Sequence, residues 1–92
     1  MAGYERNPDI ARRFGENLFL TRRRAELSQE ELGFISSLHR NEITKLERGL
    51  RIPRIDTVIK LAGALEVPPG DLLKGMAWVT APARVGRFVT SP

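Results

Sequence analysis

Residues 28–49, SQEELGFISSLHRNEITKLERG, decide how this 92-residue chain is read. Ser28 and Glu31 have the S-x-x-E spacing of a capping box, in which hydroxyl and carboxylate each satisfy an amide the first helical turn leaves unpaired. A helix is therefore expected over about 29–36, with Leu32 and Ile35 facing inward, followed by a turn at Ser36-Ser37-Leu38. His39 falls in the N-cap region of a second helix over about 40–48, and Gly49 suits its left-handed exit. On a wheel of 100° per residue, Ile43, Leu46 and Leu50 cluster on one side of this second helix. Arg40, Asn41, Thr44, Lys45 and Arg48 occupy roughly 140° of arc on the other. One face is built to be buried, the other to offer hydrogen-bond donors.

Working outward, Asn7-Pro8 resembles an N-cap followed by proline at the first helical position, where the missing N–H is harmless. Ile10, Phe14 and Leu18 then give an i, i+4, i+8 stripe for a helix reaching about Ala25, closed by Arg22-Arg23-Arg24 at its negative dipole end. Beyond Pro53, the apolar residues Ile55, Val58, Ile59, Ala62 and Leu65 repeat at three and four residues, a core-facing pattern. Val67-Pro68-Pro69 breaks that helix, and Asp71-Leu72-Leu73 suggests one or two turns of a fifth. The expected fold is an all-α, compact five-helix bundle with an extended C-terminal tail. Its organisation would be a flexible leader over 1–8, a bundle over 9–74 and a tail over 75–92. The tail mixes glycine and proline with Trp78, Val79, Val85, Phe88 and Val89, too apolar for an inert linker. It is expected to pack as an arm or as a small hairpin turning near Ala81-Pro82-Ala83.

Composition narrows the function. With no cysteine and a single histidine, thiolate metal sites, His-rich metal sites and two-histidine catalysis are excluded, and neither metal nor cofactor is expected. No carboxylate pair sits in a recognisable pocket, so the chain does not read as an enzyme. No apolar run approaches the ~18 residues of a membrane span, and the N-terminus lacks a signal-peptide core. A cytoplasmic protein is expected. The net charge of +4 favours a polyanionic partner, although charge alone is a weak signal.

Taken together, F-G-x-x-L at 14–18, L-S-Q-E-E-L at 27–32, I-x-x-L-E-R-G at 43–49 and V-P-P-G-D-L-L at 67–73 resemble the phage Cro/repressor-type (XRE-type) helix-turn-helix family. The resemblance covers about residues 14–73 and implies a lambda-repressor-like bundle that binds double-stranded DNA. By that likeness Gln29 braces the reading helix and touches the DNA backbone. Arg40 and Asn41 meet base edges, Lys45 also contacts DNA, and Arg48, Arg51 and Arg54 hold phosphates. An Arg22–Glu47 pair would tie the first helix to the reading helix and orient Arg22 toward a phosphate. Gly33, Ser37, Glu26, Glu66 and Arg54 depart from the family pattern in ways that bear on turn geometry and stability.

The residues point the same way. A donor-rich helix face is what major-groove reading needs: Arg40 suits guanine O6 and N7, Asn41 suits adenine N6 and N7, and Thr44 can use its methyl or hydroxyl. His39 is a candidate phosphate contact. Glu42 lies on the flank and reads as solvated or repulsive. One such unit reads only a few base pairs, so a homodimer is expected, with Leu72, Leu73, Trp78 and Phe88 as candidates for dimer or tail packing. The expected function is a sequence-specific transcriptional regulator, a repressor or autoregulator. The alternatives are an antitoxin or restriction-modification controller whose tail meets a partner protein or closes the dimer, and a protein-interaction module that does not bind DNA. Against the last, the reading face has no exposed aromatic or aliphatic residues.

Overall fold

In a computed structural model, described for residues 7–80 and 86–91, four α-helices are followed by a short 3₁₀ helix and a two-stranded hairpin. Helix α1 spans Pro8–Arg24, α2 Gln29–Ser36, α3 Arg40–Glu47 and α4 Ile55–Leu65. The 3₁₀ helix is Pro69–Leu73, and strands β1 Met76–Val79 and β2 Arg87–Thr90 pair antiparallel. The leader residues 1–6 and the expected turn at Ala81-Pro82-Ala83 lie outside the described residues. Pro8 is the first residue of α1 with Asn7 as its N-cap, as the Asn7-Pro8 pair suggests, so the helix begins one residue inside the leader's expected bound of 1–8.

The local signals act as their chemistry requires. Ser28 Oγ accepts from the Glu31 amide at 2.9 Å, and Glu31 Oε1 accepts from the Ser28 amide at 2.7 Å. Gly49, with φ 72°, lets the Leu50 amide fold back to the Lys45 carbonyl at 3.0 Å and so closes α3. Glu26, Ser37 and Glu66, which stand where glycine or asparagine is usual, all take the left-handed conformation, with φ of 59°, 61° and 59°. Side chains tolerate that region poorly, so three helix exits carry some strain.

The core is Phe14, Leu18, Leu32, Ile43, Leu46, Val58, Leu61, Ala62, Leu65 and Leu72, contributed by every helix and by the 3₁₀ turn. It corrects several expectations. Ile35 is exposed, because α2 turns Leu32, Gly33 and Ser36 inward. Ile55 and Ile59 are exposed too; α4 buries Val58, Leu61, Ala62 and Leu65, a stripe rotated by one position that brings in Leu61. Leu50 falls beyond the last turn of α3, off the apolar face on which a longer helix would place it. The fifth helix is a short 3₁₀ helix of five residues, ended where Lys74 turns to extended backbone at φ −60° and ψ 140°. Leu72 is fully buried and therefore holds the core together rather than a dimer surface; Leu73 beside it is half exposed.

Two close approaches fix the reading unit. A Cβ on Gly15 would lie 2.5 Å from the Leu46 carbonyl oxygen, so α1 and the end of α3 touch backbone to backbone. A Cβ on Gly33 would lie 2.7 Å from the Leu38 carbonyl oxygen, so the α2–α3 turn packs equally tightly.

Candidate DNA-reading interface

Under the exposed face of α3 lies a polar cluster joining three helices. Arg22 of α1 is buried and grips Glu47 of α3 with two donors, Nε to Oε2 at 2.6 Å and Nη2 to Oε1 at 3.0 Å. Its third nitrogen, Nη1, donates to the Leu27 carbonyl at 2.9 Å. Gln29, the first residue of α2, donates from Nε2 to Glu47 Oε1 at 2.9 Å, and its Oε1 accepts from Thr44 Oγ1 at 2.9 Å. A bidentate guanidinium–carboxylate pair fixes orientation as well as distance. Among the described residues no buried side-chain nitrogen or oxygen lacks a partner. About one turn back along α1, the Phe19 ring has the Arg22 and Arg23 guanidinium groups each 5.5 Å from its centre.

This cluster determines which side chains remain available. Arg22 lies inside the protein with all three nitrogens engaged, which removes it from the phosphate role the sequence suggested. The Thr44 hydroxyl points inward to Gln29 and the Arg40 carbonyl, leaving the methyl group as its outward feature. Gln29 retains one amide hydrogen beyond the bond to Glu47. Arg40, Asn41, Lys45 and Arg48 are exposed, and their side chains make no hydrogen bond or ion pair with any described residue. His39 caps α3, its Nδ1 accepting from the Asn41 amide at 3.0 Å. An accepting Nδ1 places the proton of a neutral imidazole on Nε2, as a donor.

Beyond α3, Arg51 lies 3.4 Å from Glu42 and Arg54 lies 3.3 Å from Asp56, both pairs at the surface. Such pairs are worth little and can exchange for another anion. Glu42 therefore partners Arg51 instead of standing alone on the flank. Sequence reasoning missed the Thr44–Gln29 bond and the Leu27 carbonyl beneath Arg22. Neither leaves a trace in residue spacing, because each depends on how three helices cross.

A capped helix, a tight left-handed turn and a second helix with an exposed donor face, pinned from beneath, define a helix-turn-helix protein. Residues 20–72 match the helix-turn-helix family, and the chain belongs to it. It is 44% identical over 50 residues to the control protein C.BamHI of Bacillus amyloliquefaciens, across 54% of this chain and 62% of that protein. The chain thus spans less than two thirds of that relative's length. It is similar in structure to the restriction-modification controller protein C.AhdI of Aeromonas hydrophila, with a TM-score of 0.66 and 39% identity, covering 67% of this chain and 94% of that one. The DNA-binding domain of the P22 c2 repressor superposes with a TM-score of 0.64 at 29% identity, over 67% and 82% of the two chains.

Proposed function

We propose that this chain is a sequence-specific transcriptional regulator that binds operator DNA as a homodimer in the cytoplasm, repressing or controlling its own gene. The observation that carries the reading is the contrast on α3: Glu47 and the Thr44 hydroxyl are locked inward, while Arg40, Asn41, Lys45 and Arg48 point outward without partners. A helix held this rigidly can place donors against base edges with little ordering cost. Arg40 and Asn41 would read purines, Lys45 would reach a base or phosphate, and the Thr44 methyl would meet a thymine methyl. Gln29, His39 Nε2, Arg48, Arg51 and Arg54 would set register on the backbone. Residues 9–74 would form the DNA-binding domain and 75–92 an arm. The likeness to C.BamHI and C.AhdI favours a restriction-modification controller within this class.

Two substitutions separate base reading from phosphate contact. Arg40→Ala should relax preference at one base pair, losing about 1–3 kcal/mol of discrimination there. Arg51→Ala should weaken binding to all sequences alike and lower the slope of log K against log salt by about 1. Titrations on an operator and its single-base variants at several salt concentrations measure both. Uniform loss from both variants contradicts the base-reading role of Arg40.

A further inference from the structure

The hairpin lies beyond the matched residues 20–72 and is built as half of something. Its register pairs Met76 with Thr90, Ala77 with Val89, Trp78 with Phe88 and Val79 with Arg87. The Ser91 amide donates to the Gly75 carbonyl at 2.7 Å, which makes that position a hydrogen-bonded pair. Pairs in an antiparallel ladder alternate, so Ala77 and Val79 also bond toward β2, while Met76, Trp78 and Thr80 turn their amides and carbonyls outward. The 5.0 Å edge-to-face contact of Trp78 and Phe88 agrees, since side chains approach most closely at non-hydrogen-bonded pairs.

The two edges of the hairpin are not alike. Strand β2 lies along α1, and the Arg13 guanidinium reaches over to the Ser91 carbonyl. Strand β1 has no sheet neighbour but β2 among the described residues, Ala77, Trp78 and Val79 are exposed, and Met76–Val79 contains no charge and no proline. Proteins normally protect a free edge with such residues, and an uncharged edge invites another strand. Beside it, Trp78 is 56% and Phe88 47% exposed, a large share for two packed rings.

We propose that β1 pairs with β1 of a second copy of this chain, antiparallel across a two-fold axis at Trp78, to make a continuous four-stranded sheet. This rests on the reading of the chain as a homodimer on DNA and identifies the surface that forms the dimer. The second copy is the occupant because β1 is complementary to itself. Residues facing each other across such an axis share a sheet face only if the axis passes through a residue position. Centred on Trp78, the axis sets Trp78 against Trp78 of the partner subunit and Met76 against Thr80 of the partner subunit, joining only residues whose polar groups already point outward. An axis at Ala77 would use Met76 and Trp78 alone. Neither copy of β1 carries a charge for a different partner to neutralise. Phe88, Trp78 and their two counterparts would then form one aromatic row across the sheet, the kind of cross-strand contact that stabilises pairing.

The test uses the wild-type protein first. Amide exchange followed by NMR at rising protein concentration should show Trp78 N–H becoming protected as sedimentation reports dimer. A dimer in which that amide stays as exposed as in dilute solution, or a protein monomeric throughout, overturns the proposal. The chain has no cysteine, so a single introduced thiol reports contact directly. Trp78→Cys should give a disulfide-linked dimer on mild oxidation, because facing Cα atoms of a hydrogen-bonded pair sit about 5.5 Å apart. Ala77→Cys should not, its counterpart being about 7–8 Å away on the diagonal. Equal cross-linking of both variants, or of neither, is the contrary result. DNA selection on the same samples is an independent reading. A monomer that still enriches one sequence refutes the strand pairing alone, and a protected dimer that enriches none refutes the DNA reading alone.

Discussion

Glu47→Ala is expected to lose about 3–5 kcal/mol of folding stability, the cost of leaving a buried charge without its counter-ion. The Arg22 guanidinium would keep only the Leu27 carbonyl, and Gln29 Nε2 would lose its acceptor. For a domain whose total stability is in the usual range of about 5–15 kcal/mol, that is a third or more of the whole. Arg22→Met alone should lose a similar amount by stranding the carboxylate. Combining Arg22→Met with Glu47→Leu should recover most of the stability, because a buried ion pair is often matched by apolar residues of similar volume. Urea unfolding of the three variants measures this, and single-variant losses below about 1 kcal/mol would mean that the pair behaves as a surface pair. The double variant has a second use. It should fold yet bind operator less selectively, since Gln29 and Thr44 lose the anchor that orients α3. Full selectivity in the folded double variant would show that the ion pair contributes stability only.

Gly15→Val should be the next most damaging change and should act on the same helix from the other side. Its Cβ would meet the Leu46 and Glu47 carbonyl oxygens at 2.5 and 2.7 Å, and both are backbone atoms that no rotamer change can move. Separating α1 from α3 should cost about 1–3 kcal/mol, the usual range for overpacking. It should also tilt the donor face away from the orientation set by Arg22. Gly63→Ala is the matched control: that Cβ meets nothing within 4 Å, so alanine in the middle of α4 should stabilise by up to about 1 kcal/mol. Thermal unfolding of both variants checks the pair, and equal small effects would contradict the close α1–α3 contact.

Much of the reading unit was legible because its signals are local. A hydroxyl and a carboxylate three residues apart and the glycine that ends LERG specify backbone states that neighbouring residues control. The structure places each in the conformation its chemistry favours. The choice between Leu61 and Ile59 was not local. Both are apolar and both fit a three-and-four spacing, and only the rotation of α4 against α2 and the 3₁₀ helix decides which is buried. Ile35 and Ser36 pose the same ambiguity at the end of α2, where the buried serine satisfies itself by bonding the Leu32 carbonyl at 2.7 Å. The Arg22–Glu47 pair, 25 positions apart, came from family likeness and not from spacing. In the tail, apolar residues too numerous for a linker pointed to an arm or a hairpin, but which edge stays open depends on β2 lying against α1, and that contact has no sequence pattern of its own.

The central claim is that the donor face of α3 reads bases in a two-fold arrangement. It is tested most directly by selecting genomic fragments with the purified protein and footprinting the enriched ones. The expected result is a pair of inverted half-sites protected on one face of the duplex, with centres about 34 Å, or one helical turn, apart. Affinity for them should fall steeply as salt rises. Fragments enriched no further than bulk DNA, with uniform protection and no repeated sequence, would contradict it.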